Sequence, residues 1–178
     1  VDMSDSQRRI YDYIEEQFVE EVESVNGNIH SALVKAKMIR LQQAASNPAL
    51  LRQPLSEFLD DEGKPLDNYD DSDIMRNVLK FNDVTDIPSK FKVCADKNEK
   101  IISSGGKVVI WAIFIKSIEM LQSYLASRHI ESKALYGATP VATDGMSIED
   151  EGYEETREGI IKTFHREDSP FKVIIANP

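Results

Sequence analysis

Lys107 is the one basic residue that follows paired glycines, in Ser104-Gly105-Gly106-Lys107. A phosphate-cradling loop also needs a Gly five residues before the Gly-Lys pair and a Ser or Thr after the lysine. Those positions hold Ile101 and Val108, and the segment precedes a strand-like run instead of following one. No G-x-G-x-x-G occurs either, so the chain carries no triphosphate cradle of its own. His30, His129 and His165 are scattered without partners at metal-ligand spacing and read as surface or partly buried histidines. The lone Cys94 sits among charged residues, and nothing marks it as a nucleophile. The acidic stretches do not match a calcium loop. The remaining chemistry is anion binding: Lys116 and the backbone N–H groups that open its helix suit a phosphate. The plainer reading of Lys116 is an exposed lysine.

A chain of 178 residues allows one domain, or one plus an appendage. No apolar run approaches ~20 residues, so a membrane span is not expected. Val1-Asp2-Met3-Ser4-Asp5 has no basic region followed by an apolar one, so it does not read as a signal peptide. With one cysteine no internal disulfide is available, which points to an intracellular, reducing compartment: cytoplasmic in a bacterium, nuclear in a eukaryote. The net charge of -10 is uneven. Pro54 to Asp73 carries -7 and Asp144 to Glu158 carries -6, leaving +3 on the rest. The acidity reads as two solvated loops on a mildly basic scaffold.

Ser4-Asp5-Ser6-Gln7 reads as a capping box. Ile10, Ile14, Phe18 (or Gln17), Val22 and Val25 follow at helical spacing, and Gly27 reads as the stop. A second helix is expected over 28–45, with Ile29, Leu33, Ala36, Ile39 and Leu41 toward the core, ended by Asn47-Pro48. Residues 1–53 thus form a helical pair. Residues 54–87 read as an acidic surface insertion holding a short helix at 71–81, with too few apolar residues for a core. Ser89 caps a helix to Ser103, and Gly105-Gly106 turn the chain into a strand.

From there the order is strand 107–113, helix 116–128 with Ile118, Leu121, Tyr124 and Leu125 on one face, strand 132–136, an insert at 140–152, helix 153–166 and strand 171–176. Strands apolar on both faces and alternating with helices indicate an α/β fold with a parallel sheet covered on both sides. Trp111 is expected in the core. The expected strand order is 1-2-3 or 2-1-3. In the second, the loops Phe114-Ile115-Lys116 and Ala176-Asn177-Pro178 face one crevice.

Five stretches, in order, resemble the second, C-terminal RecA-like lobe of Swi/Snf-type superfamily-two helicases and translocases. Met3 to Tyr11 resembles its "S-x-x-Q-x-x-x-Y" start. Arg40 to Leu51 resembles its "L-R-Q-x-x-x-H-P-x-L-L" helix end. Lys107 to Phe114 resembles helicase motif IV, "V-L-I-F-S-Q-F". Leu135-Tyr136-Gly137-Ala138-Thr139 resembles the "x-x-G-S-T" turn. Arg157 to Phe164 with Phe171 to Ala176 resembles the "R-x-x-x-I-x-x-F" helix leading into the motif V strand.

The resemblance implies a partial RecA-like (P-loop NTPase-like) lobe over 88–178, preceded by the helical pair. It implies an ATP-driven DNA translocase as the parent protein, with ATP and Mg2+ bound between two lobes and duplex DNA and the first lobe as partners. It assigns neither a catalytic residue nor a metal ligand to this stretch, so the isolated stretch is expected to lack ATPase activity. Nucleic-acid contacts are implied at Phe114, Lys116, Gly137, Thr139 and Asn177. Ala112 and Ile113 depart from the usual Ser-Gln pair, Gln42 from an Arg, Asn47 from a His, and Asn177 from a Ser or Thr. The resemblance ends within motif V at Pro178, which places motif VI and its arginines in the parent. Two other classes compete: a non-catalytic interaction module on an α/β scaffold, and a small-molecule enzyme on a Rossmann-like sheet. The latter lacks a dinucleotide fingerprint.

Overall fold

The computed structural model describes residues 1–24, 31–52, 72–82 and 85–178. The side chains expected in the core at 17–33 and the first part of the acidic insertion lie outside the described residues. The chain divides into two compact units, Val1–Lys92 and Val93–Pro178.

The first unit is helical. Its elements are α1 (Asp5–Ser24), α2 (Ser31–Ser46), a 3-10 turn (Pro48–Leu51), α3 (Ser72–Asn82) and the first residues of α4 (Ser89–Ser103). Ser4 Oγ accepts the Gln7 N–H at 3.3 Å, as a helix cap should. The expected return bond from Gln7 is replaced. Gln7 is fully buried, donates through Nε2 to Ala44 O at 2.9 Å and accepts the Ser89 N–H at 3.3 Å. Ser89 Oγ takes the Ser4 N–H instead, at 3.0 Å. One amide therefore joins α1, the end of α2 and the start of α4. Asn47 ends α2 in extended geometry, and its Oδ1 accepts the Ala49 N–H at 3.1 Å.

The face of α2 differs from expectation. Ala36 and Ile39 are exposed, whereas Lys37 and Ala44 are buried and Leu41 is half-buried. The buried stripe runs through positions 37, 41 and 44 and includes a lysine, so the apolar pattern alone pointed to the wrong side. Burial holds the Lys37 ammonium below its usual range. The helix within the expected insertion is α3, and its Val78 and Phe81 are essentially inaccessible. Burying side chains of this kind stabilises by about 1.5–3 kcal/mol each.

The second unit has the order α4, β1 (Val108–Trp111), α5 (Ile115–Ser127), β2 (Ser132–Leu135), a 3-10 turn (Tyr153–Glu155), α6 (Arg157–His165) and β3 (Val173–Ala176). The helix expected over 153–166 thus begins at Arg157, because the Thr156 side chain caps it there. Gly105, at φ +85°, ends α4. Its N–H bonds Ile102 O at 2.9 Å and the Gly106 N–H bonds Ile101 O at 2.9 Å, a paired closure that favours glycine. His129 ends α5 the same way at φ 59°, with its own N–H on Ala126 O and the Ile130 N–H on Leu125 O.

The sheet is parallel, with order β1-β3-β2. Neither expected order is correct, because alternation of strands and helices fixes handedness but not lateral position. β3 is central and buried along its whole length. The adjacency of the β1 and β3 tips does hold, with Trp111 opposite Ala176.

The two crossovers run in opposite directions, so right-handed connections put α5 and α6 on opposite faces. Ile174 and Ala176 pack with Ile160, Phe171, Phe164 and Leu135 on the α6 side. The Phe164 and Phe171 rings stack at 6.1 Å. Ile118, Leu121 and Leu125 are the buried apolar residues of α5.

Trp111 is not in the core. It is 68% exposed, Val109 47% and Ile113 67%. Val109 and Trp111 lie in register with Ile174 and Ala176, hence on the α6 face. α6 links β2 to β3 and leaves that face of β1 uncovered. The sheet is therefore covered on both faces only at its centre.

Among the described residues no helix is long and apolar enough to cross a membrane.

Candidate functional site at the strand tips

The C-terminal ends of all three strands meet at Asn177. Its N–H donates to Leu135 O at 2.9 Å. Its Nδ2 donates to Ala112 O at 3.0 Å and Ile113 O at 2.8 Å. One residue thus ties the ends of β1 and β2 to β3. Both amide hydrogens are used, and the side chain's other hydrogen-bonding atom is the acceptor Oδ1. A phosphate is also an acceptor, so this side chain suits a hydroxyl or amine better than a phosphate oxygen.

Beside it, Phe114 is the extended N-cap of α5 and is half-buried. It supplies no side-chain cap; its carbonyl accepts the Ser117 and Ile118 N–H groups at 3.0 and 3.2 Å. The helix therefore opens with its first N–H groups facing outward from the strand tips. Lys116 is exposed, with Nζ 3.6 Å from the Glu119 carboxylate. An exposed pair of this kind contributes little and leaves the ammonium available.

Gly137 and Thr139 lie in the turn after β2. Thr139 Oγ1 accepts the Tyr136 N–H at 3.0 Å, and the Thr139 N–H donates to Tyr136 O at 2.9 Å. The hydroxyl expected to meet a ligand is therefore engaged within its own turn. Beneath lies Arg157, which Nε joins to Thr139 O at 3.2 Å and one terminal nitrogen joins to Tyr136 O and Gly137 O at 3.2 and 3.3 Å. The Arg157 N–H also donates to Pro140 O at 2.8 Å. Peptide units are planar and trans, so carbonyls aimed at Arg157 turn the Gly137 and Ala138 N–H groups the opposite way. A Cβ at Gly137 would meet nothing within 4 Å, so the space beside its Cα is open.

The helix under this turn is tightly seated. Thr156 Oγ1 accepts the Gly159 N–H at 3.1 Å and donates to Tyr153 O at 2.7 Å. A Cβ at Gly159 would lie 1.9 Å from Tyr153 O, so only glycine fits. Glu158 accepts the Ala142 N–H at 2.8 Å, which holds its carboxyl below the usual range and fastens the insert after Pro140. A shallow cavity of about 230 Å³ opens between Lys133, Tyr136, Thr139 and Glu155.

The structure brings Phe114, Lys116 and Asn177 to the tips of β1 and β3, and Gly137 and Thr139 to the turn following the tip of β2. Lys107 has a different role: Nζ donates to the carbonyls of Phe164 and Arg166, the latter at 2.7 Å, and sits 5.5 Å from the centre of the Phe164 ring. It caps the C-terminal end of α6. The bonding of Arg157 to the 136–139 turn was not among the sequence expectations. Its signal was available, since a cation in the first turn of a helix opposes the helix dipole and needs a tertiary reason. Cys94 is half-buried, burial raises its thiol, and Asn98 Nδ2 lies 3.3 Å from the sulfur.

Among the described residues, no three His, Cys, Asp or Glu side chains group as a metal site. With Lys107 committed to α6, the described residues do not by themselves fit a magnesium nucleotide. No protein-family model matches the chain, and no curated protein matches it.

Proposed function

We propose that the α/β unit is part of the second RecA-like lobe of an ATP-driven, Swi/Snf-type DNA translocase, and that its strand-tip surface meets the phosphate backbone of duplex DNA. The observation that carries this reading is the convergence at one sheet edge of the uncapped start of α5, Lys116 and the outward N–H groups of Gly137 and Ala138. N–H groups at the C-terminal edge of a parallel sheet, with a cation among them, suit an anion. The order of the motif-like stretches adds to it. ATP and Mg2+ would be held chiefly by the other lobe and would supply the energy for stepping.

The test is Lys116→Glu in the full-length protein that carries this chain. The expected result is weaker duplex binding, a slope of log affinity against log salt reduced by about 0.9, and reduced DNA-stimulated ATPase. Unchanged binding and stimulation would overturn the proposal.

A second reading, a protein-interaction module, is favoured by the uncovered Val109 and Trp111 on β1 and Ile113 just past it. It requires Lys116→Glu to leave DNA response intact.

A further inference from the structure

We infer that Arg157 is a positioning residue that sets the 136–139 turn for contact with a nucleic-acid phosphate, an inference that rests on the function just proposed. Three of its bonds fall on carbonyls of one four-residue turn: Tyr136 O, Gly137 O and Thr139 O. A fourth, from its backbone, fixes Pro140 O. Four carbonyls gathered on one side leave the turn's other side to N–H groups. Of these, the Thr139 N–H is spent on Tyr136 O and the Tyr136 N–H on Thr139 Oγ1. Gly137 and Ala138 retain theirs, in a turn where even a Cβ added at Gly137 would meet nothing within 4 Å.

Arg157 does this through fork geometry as much as charge. Nε and a terminal nitrogen reach different carbonyls at once, which a lysine ammonium cannot reproduce in the same plane. The guanidinium also lies on the carbonyl side of the peptides, where it favours the dipole orientation that presents N–H outward. Its base is fixed, because Arg157 follows the Thr156 cap and precedes Gly159, whose lack of a side chain lets α6 abut the Tyr153 carbonyl. The resulting donors are pre-oriented before any ligand arrives, which lowers the ordering cost of binding.

The experiment uses the full-length protein with Arg157→Lys, Arg157→Ala and Thr139→Val. It reads duplex affinity across a salt series, and the half-saturating DNA concentration and maximal rate of stimulated ATPase. Positioning predicts that lysine does not rescue: both Arg157 variants raise the half-saturating DNA concentration about tenfold at an unchanged maximal rate. The salt slope stays at the wild-type value, because N–H dipoles carry no net charge to exchange for a counterion. Thr139→Val, which loosens the same turn with Arg157 intact, shifts it in the same direction. If Arg157→Lys behaves as wild type while Arg157→Ala loses about 0.9 of slope, Arg157 is a direct charge contact and the inference fails. If all three variants match a DNA-responsive wild type, the inference fails alone. If the wild type itself neither binds duplex nor responds to it, the functional reading fails and takes this inference with it.

Discussion

Replacing Asn177 by aspartate exchanges an amide for a carboxylate of the same shape and tests the strand-tip clamp directly. The amide faces two carbonyl oxygens at 3.0 and 2.8 Å and donates to both. Each bond contributes about 1 kcal/mol net, so Asn177→Ala should cost roughly 2 kcal/mol. Asn177→Asp loses the same bonds and aims negative oxygen at the two carbonyls. That repulsion raises the new group's folded pKa above its unfolded value of about 3.9. One unit of rise corresponds to about 1.4 kcal/mol. Half-exposure screens the remainder, so the aspartate variant should lie about 3 kcal/mol below wild type at pH 7. For a unit of fewer than 100 residues, this lowers Tm by roughly 12 °C or more, against roughly 8 °C for alanine. The sign with pH follows from the raised pKa. The extra penalty is absent below the unfolded pKa and is complete once pH exceeds the folded pKa. Calorimetry of both variants from pH 4 to 7 should show the gap between aspartate and alanine opening as pH rises. An aspartate variant as stable as alanine at pH 7, or a gap that does not narrow toward pH 4, would refute the clamp.

Gln7→Leu should cost about 2–4 kcal/mol, because it strips partners from the Ala44 carbonyl and the Ser89 N–H around a fully buried side chain. Chemical denaturation reads that loss, and a change under 1 kcal/mol would mean water replaces the amide. Glu158, whose pKa is lowered by the Ala142 N–H, contributes its hold on the insert above the ordinary carboxylate range and loses it as pH falls through the depressed value. The Ala142 amide NMR shift should therefore stay constant through the ordinary carboxylate range and move only below it. Glu158→Gln should abolish that titration.

The order of elements was legible because it rests on local rules. Gly105 beyond Ser103 marked the end of α4, the apolar run at 171–176 marked the last strand, and Asn47-Pro48 marked the end of α2. What failed depends on distant partners. Strand order is set by which crossover passes over which neighbour, and no residue in the chain encodes that alone. Trp111 reads as core by type, but its exposure follows from the span of α6, a property of the sheet. The stripe on α2 was hidden because Lys37 occupies one of its buried positions.

At the site, the five residues drawn from resemblance were placed at the strand tips and the turn, but their hydrogen bonding was not foreseeable. Thr139 bonds within its turn, and Asn177 spends its side-chain donors on Ala112 O and Ile113 O just past β1. Arg157, which bonds three carbonyls of the turn, stood in the sequence only as the arginine of the R-x-x-x-I-x-x-F resemblance, inside a helix expected to begin at 153.

Trp111 is the sole tryptophan of the chain and stands largely in water at the edge of β1. Its native emission should already resemble that of indole in solvent, so denaturation will shift the spectrum little, and unfolding must be followed by other means. The same placement makes it a built-in optical sensor for that edge. A blue shift or a change in quenching by iodide would register coverage by another surface without any label.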